Sequence, residues 1–173
     1  MGIRAQPRPG LSWSAMRKVL EQDNICDSLK GRIQYFATRY RGAHDQTGRV
    51  AIRLDGKEIF NSDYFDWAIK HHEAWEKIKA STEEISYERA HLSALNQGGF
   101  DQHEFYRAFH SYNNSSIDES LRSSDPVVRL FAIMDKRVGK RRLHKLLPEI
   151  ELQPVWLQSF FRLRLEAERI AYI

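Results

Sequence analysis

The sequence contains a single cysteine, Cys26, among its 173 residues. One thiol cannot form an intramolecular disulfide, and it cannot build a zinc ribbon or a two-cysteine redox motif. No run approaches the roughly 18 apolar residues that span a bilayer, and the first ten residues lack the apolar stretch of a signal peptide. These absences argue against a disulfide scaffold and a membrane protein, and they predict a cytoplasmic location.

The familiar enzyme signatures are also missing. The sequence has no P-loop, no glycine-rich dinucleotide fingerprint, no nucleophile elbow and no zinc-protease helix motif. We therefore expect no cofactor and favour a protein that is not an enzyme. An active site assembled from scattered residues stays open as an alternative.

The composition is that of an ordinary globular domain, with 42% hydrophobic, 12% aromatic and 29% charged residues. The length suits one self-sufficient core. We predict a flexible tail over residues 1–11, which are rich in proline and arginine, and a single domain over residues 12–173.

The first half of the domain predicts a helix followed by a small sheet. Ser12 suits the N-cap of a helix that ends by Gly31. RIQYFATRYR, GRVAIRLD and KEIF then read as strands, joined by the polar loop GAHDQT and the tight turn Asp55-Gly56. These elements predict a three-stranded antiparallel meander in which Val50, Ile52 and Leu54 share one face.

Everything after Ser62 predicts helices. N-caps are indicated at Asp63, Ser81, Asp101, Ser116 and Asp125, the last followed by a proline that suits the first helical turn. Gly98-Gly99 predicts a stop, and Gly139 predicts an end or a kink. The expected fold is α+β, with an N-terminal helix, the meander and a C-terminal cluster of about five to six helices.

Charge is distributed unevenly along the chain, whose net charge is +4. Residues 1–62 carry 11 Lys and Arg against 6 Asp and Glu, whereas residues 63–122 carry 6 against 11. Residues 123–148 again carry 7 against 2. Two basic segments therefore flank an acidic one, and either the faces neutralise each other or a basic surface binds an acidic partner.

The first basic segment includes the hairpin, where Arg39, Arg41 and Arg49 are candidate binding residues that alternation places on one face. His44 and Asp45, in the loop between them, are weak catalytic candidates. A histidine oriented by a carboxylate suits a general base, and neighbouring arginines suit an anion. The same two residues also suit a solvent-facing turn.

The second basic segment surrounds Gly139. Its candidate binding residues are Lys136, Arg137, Lys140, Arg141 and Arg142, with Lys145 beyond them. Such a run suits a nucleic-acid backbone, whose phosphates require positive charge but no particular side chain. Alternatively, these cations follow a helix end, where they meet the negative pole of its dipole, and pair with Asp135 or Glu149.

Four histidines, His71, His72, His103 and His110, have spacings that place pairs of them on one helix face. No three of them form a known ligand pattern, so we predict no metal site. His72 falls on an apolar stripe and predicts a core histidine. The helical aromatic residues predict core positions as well: Trp67, Trp75, Phe105, Tyr106 and Phe109.

Three stretches of the sequence stand out: LSWSAMRKVLE, TRYRGAHDQTGRVAIRLDGKEIF, and DPVVRLFAIMDKRVGKRRL with the later FFRLRLEAE. They resemble an uncharacterised family of small bacterial cytosolic proteins with no established function. The resemblance covers most of the chain and implies a bacterial cytosolic protein. It implies no catalytic residue.

The favoured hypothesis from the sequence is a non-catalytic binding or regulatory protein whose basic surface contacts an acidic protein partner or nucleic acid. One alternative is an enzyme that acts on a small anionic substrate, with a histidine base and arginines that hold the anion. A second alternative is a subunit of a homo-oligomer or complex, because an interface stripe and a core stripe look alike.

Overall fold

The computed structural model describes residues 10–42, 48–81 and 87–172. The chain begins with helix α1 (Trp13–Lys18), which continues as a π-helical turn (Val19–Asp23), and a 3₁₀ turn follows (Asp27–Leu29). Ser12 caps α1 by accepting a hydrogen bond from the Ala15 amide. The N-terminal helix is thus confirmed, but it ends well before Gly31.

The sheet consists of β1 (Ile33–Arg39), β2 (Gly48–Leu54) and β3 (Lys57–Asp63) in the antiparallel order β1-β2-β3. Asp55 and Gly56 both have positive φ, which the tight turn between β2 and β3 requires. The predicted meander is therefore confirmed. Val50 and Ile52 are fully buried, as their alternation predicts.

Seven α-helices follow in the described residues. They are α2 (Tyr64–Ala80), α3 (Tyr87–Asn96), α4 (Gln102–Asn113), α5 (Ile117–Leu121), α6 (Pro126–Met134), α7 (Lys140–Leu146) and α8 (Val155–Ala167), with a 3₁₀ segment (Leu147–Leu152) before the last. None of the described helices is long and apolar enough to cross a membrane. The α+β class and the order of elements are confirmed.

The predicted helix starts have the expected capping chemistry. Asp63, Asp101 and Ser116 each form a complete capping box, and Asp125 accepts from the amide of Val127. Ser81 follows the end of α2, where its hydroxyl donates to the Ile78 carbonyl oxygen at 2.7 Å, and the rest of the capping box expected there falls outside the described ranges. Helix α6 ends at Met134 rather than near Gly139, which instead precedes α7.

The core lies between the sheet and helices α4 and α6. Tyr35 of β1 packs against Phe105 of α4 and Phe131 of α6, with ring centroids 5.7 and 5.9 Å apart. Phe105 and Phe131 meet edge to face at 5.1 Å. All three rings are almost completely buried, so this aromatic cluster joins the sheet to the helices.

Gly48 is required at the start of β2, and Gly48→Ala is expected to destabilise the fold by about 1–3 kcal/mol. An added Cβ would lie 1.8 Å from the carbonyl oxygen of Thr38, a backbone atom that cannot move aside without disturbing β1. Gly10→Ala is the matched control, because its Cβ would meet only His110 at 3.4 Å. Urea denaturation of both variants measures the difference, and equal stabilities would contradict the packing argument.

Candidate functional site

The second basic segment is held by a buried carboxylate. Asp135, whose side chain is fully buried, forms an ion pair with the Arg137 guanidinium at 2.7 Å and accepts a short hydrogen bond from the Tyr112 hydroxyl. Burial and that hydrogen bond raise the pKa of Tyr112 well above its ordinary value, so the phenol stays a donor. Asn24 in turn donates to the Tyr112 oxygen at 3.1 Å.

A buried arginine, Arg164, also holds the backbone of this loop between α6 and α7. The guanidinium of Arg164 on α8 donates to the carbonyl oxygens of Ile133, Asp135 and Val138, at 2.7, 2.9 and 2.7 Å. Its Nε forms an ion pair with Glu168 at 3.1 Å. Because one rigid planar cation satisfies three carbonyls at once, the backbone between α6 and α7 has a defined path.

This fixed loop presents an open cleft that is lined by cations. The cleft has a volume of about 480 Å³, and its lining residues are Arg137, Gly139, Arg141, Arg142 and Lys145. Every side chain in that set carries a positive charge. We call this feature the basic cleft.

The predicted binding residues of this segment divide by their ion pairs. Arg137 pairs with Asp135, and Arg142 pairs with Asp118 at 3.2 Å. The exposed side chains with no ion pair among the described residues are Lys136, Lys140, Arg141 and Lys145. Arg141 and Lys145, two of the cations that line the basic cleft, therefore have no ion pair among the described residues.

The position of α7 bears on the expectation that these cations follow the C-terminus of a helix. Lys140, Arg141 and Arg142 occupy the first turn of a new helix, where the dipole disfavours cations, rather than the last turn of a preceding one. Lys136 and Arg137 do follow the end of α6. The expectation that a helix C-terminus stabilises the whole run is therefore wrong for its second half.

The hairpin arginines do not form a single cluster. The β1–β2 register pairs Thr38 with Arg49 and Arg39 with Gly48, so Arg39 and Arg49 lie on opposite faces. Arg49 forms an ion pair with Glu58 at 2.6 Å, and Arg41 is exposed in the turn after β1. The expectation that they share a face is wrong, because the register offsets them by one residue.

The proposed catalytic pair, His44 and Asp45, lies outside the described residues. The basic cleft contains no residue of the hairpin. The structure therefore brings the cations around Gly139 together without adding Arg39, Arg41 or Arg49 to them.

A family model matches residues 12–165, which is most of the chain. The chain belongs to the SF0329 protein family. No curated protein and no solved structure shows a significant match to it.

A second cleft, which the sequence did not predict, lies between α2, α3 and the start of α4. It also has a volume of about 480 Å³. Its lining residues are Tyr64, Trp67, Tyr87, His91, Asp101, His103, Glu104 and Arg107. We call it the aromatic cleft, because three rings form its walls.

In one wall of the aromatic cleft, a hydrogen bond determines the tautomer of His91. The indole N–H of Trp67 donates to Nδ1 of His91 at 3.1 Å, which leaves the ring proton of neutral His91 on Nε2. Burial, with smaller contributions from Arg107 and His71, lowers the pKa of His91. His91 is therefore neutral at pH 7.

Two carboxyl groups meet at the other side of the aromatic cleft. Asp101 and Glu104 form the capping box of α4, in which Glu104 accepts from the Asp101 amide at 3.1 Å. Burial, reinforced by the hydrogen bond and charge of Asp101, raises the pKa of Glu104 to about 8. At pH 7 the Glu104 carboxyl therefore retains its proton.

The histidine and aromatic predictions are partly corrected. His72 is exposed, so the prediction of a core histidine there is wrong. The neighbouring His71 instead packs against Trp67 and Tyr87, with ring centroids 4.9 and 4.8 Å away. Trp67 lines a cleft rather than the core, while Phe105 and Phe109 are buried as predicted. Among described residues no His, Cys, Asp or Glu group suits a metal ion.

Arg164→Met is expected to lower the free energy of unfolding by about 3–5 kcal/mol, because Glu168 and three carbonyls lose a buried cationic partner. Arg162→Met on the same helix is the control, since the exposed pair of Arg162 with Glu151 contributes only about 0–1 kcal/mol. Urea denaturation compares them. Equal losses would show that Arg164 does not fix the loop.

Glu104 makes the stability depend on pH. The folded protein holds its proton between the ordinary pKa of 4.5 and about 8, whereas the unfolded chain releases it. The favourable contribution of the protonated carboxyl is therefore full below pH 4.5 and is lost as the pH rises through about 8.

Glu104→Gln is expected to reduce this fall in stability, because glutamine still accepts the capping hydrogen bond but does not titrate. Urea denaturation at several pH values from 4.5 to 8 measures the slope. Glu73→Gln, at an exposed position on α2, serves as the control. A wild-type slope in Glu104→Gln would disprove the assignment.

Proposed function

We propose that this protein is a non-catalytic nucleic-acid-binding protein that contacts the phosphate backbone through the basic cleft. The observation that carries the proposal is a concave surface whose lining side chains are all cationic. Polyanions bind such surfaces by releasing condensed counterions.

The rigidity of the loop supports this role. Arg164 and Asp135 hold the backbone of residues 133–138, so Arg137 projects from an ordered segment. A surface that is ordered before it binds loses less conformational entropy on association. Arg137 and the backbone that leads into α7 are therefore arranged before a ligand arrives.

The composition of the basic cleft favours backbone contacts over base recognition. Its lining contains no aromatic ring on which an unpaired base could stack. Arginine and lysine contacts to phosphate position a protein on a duplex without selecting a sequence. We therefore expect binding to vary little with the DNA sequence.

The other roles that the sequence left open, including that of a subunit of a homo-oligomer or complex, stay hypotheses. An acidic protein would meet the same unpaired cations, and the binding experiment below separates it from nucleic acid. The enzyme hypothesis depends on His44 with Asp45, and no cation of the basic cleft supplies the base that it needs. A cytoplasmic location in a bacterium, which the sequence suggested, agrees with a nucleic-acid ligand.

Arg141→Gln/Lys145→Gln is expected to weaken binding to a short DNA duplex and to lower the slope of log affinity against log salt by about 2, one unit for each lost phosphate contact. Fluorescence anisotropy over a salt series measures both quantities. Lys77→Gln/Lys79→Gln on α2 is the control, because it removes the same net charge from exposed positions elsewhere.

Equal effects of the two double variants would show that net charge alone drives binding and would reject the basic cleft. Absence of binding by the wild-type protein in low salt would reject nucleic acid as the ligand. Capture of an acidic protein through Arg141 and Lys145 would then favour the other partner class.

A further inference from the structure

The aromatic cleft has the features of a small-molecule site that is separate from the basic cleft. Its volume of about 480 Å³ falls within the range of ligand pockets, and it combines flat apolar walls with a few convergent polar groups. The Tyr64 and Trp67 rings lie 5.8 Å apart, while Tyr87 stacks nearly parallel to His91.

The polar groups of the aromatic cleft differ in sign and in depth. Asp101 is only 4% exposed, whereas Arg107 is exposed at the rim. Burial raises the pKa of Asp125, a carboxyl outside the cleft, and the charge of Arg107 is among the smaller effects that oppose this rise. The buried polar end is therefore acidic.

The walls of the cleft are aromatic faces and a histidine, and the arginine that lines it, Arg107, lies exposed at the rim. Burial, with smaller contributions from Arg107 and His71, lowers the pKa of His91, and the Trp67 hydrogen bond occupies its Nδ1. Aromatic faces attract an ammonium group through their quadrupoles, and carboxylates bind it by charge-assisted hydrogen bonds. The remaining charged or titratable groups that line the cleft are His103, Arg107, Tyr64 and Tyr87.

We propose that the aromatic cleft binds a small aromatic amine, with its ring against Trp67 and Tyr87 and its ammonium group on Asp101 and Glu104. On binding, the ammonium group of the ligand replaces the proton of Glu104. The Glu104 carboxyl releases its proton to solvent, and the resulting carboxylate pairs with the ammonium group, so the charge of the site is conserved.

Isothermal titration calorimetry with tryptamine tests this proposal. The wild-type protein is titrated at pH 7 in phosphate and in Tris, whose different ionisation enthalpies report the protons released on binding. We expect release of up to one proton for each tryptamine bound. Indole-3-acetate, which has the same ring but a carboxylate in place of the amine, is expected not to bind.

Glu104→Gln is expected to weaken tryptamine binding about tenfold or more and to abolish the proton release. It preserves the capping hydrogen bond of α4, so the fold is retained. Glu73→Gln is the matched control and is expected to bind as the wild-type protein does.

Three results would overturn the proposal. They are absence of tryptamine binding at millimolar concentration, equal binding of indole-3-acetate, and an unchanged affinity in Glu104→Gln. None of these results bears on DNA binding, so failure here is distinguishable from failure of the basic cleft.

Discussion

The arrangement of the second half of the molecule depends on one buried cation. Arg164 is 2% exposed, and its guanidinium joins α8 to three carbonyl oxygens between Ile133 and Val138. A buried charge is tolerated only when its hydrogen bonds are satisfied, and here Glu168 supplies the opposite charge. The chain between α6 and α7 therefore has little freedom to choose another path.

That constraint explains how a short run of like charges stays ordered. Asp135 faces inward toward Tyr112 and Arg137, while the cations that follow it face solvent. The carboxylate forms an ion pair with only one neighbour, Arg137. Rigid backbone and unpaired surface charge are the two properties that a site for polyanions needs.

In the aromatic cleft, the residues that cap α4 also supply the carboxyl groups of the cleft. The capping box at the start of α4 satisfies backbone amides, yet it also brings the carboxyl groups of Asp101 and Glu104 together. Burial then raises the pKa of Glu104, so its carboxyl keeps a proton at pH 7. Tyr64, Trp67 and Tyr87 from α2 and α3 line the same cleft with rings, so the proposed ligand would contact atoms that also cap α4.

Local rules were enough to predict the elements from the sequence. Alternation gave the faces of β2, and short oxygen side chains marked helix starts at Asp63, Asp101, Ser116 and Asp125, because caps and pleats depend on near neighbours.

Only the tertiary structure decided which charges remain unpaired and which groups meet. Arg164 reaches its carbonyls from about thirty residues away, Arg39 and Arg49 separate through strand register, and Trp67 finds His91 across two helices. No local pattern encodes such contacts, because they depend on how distant segments pack.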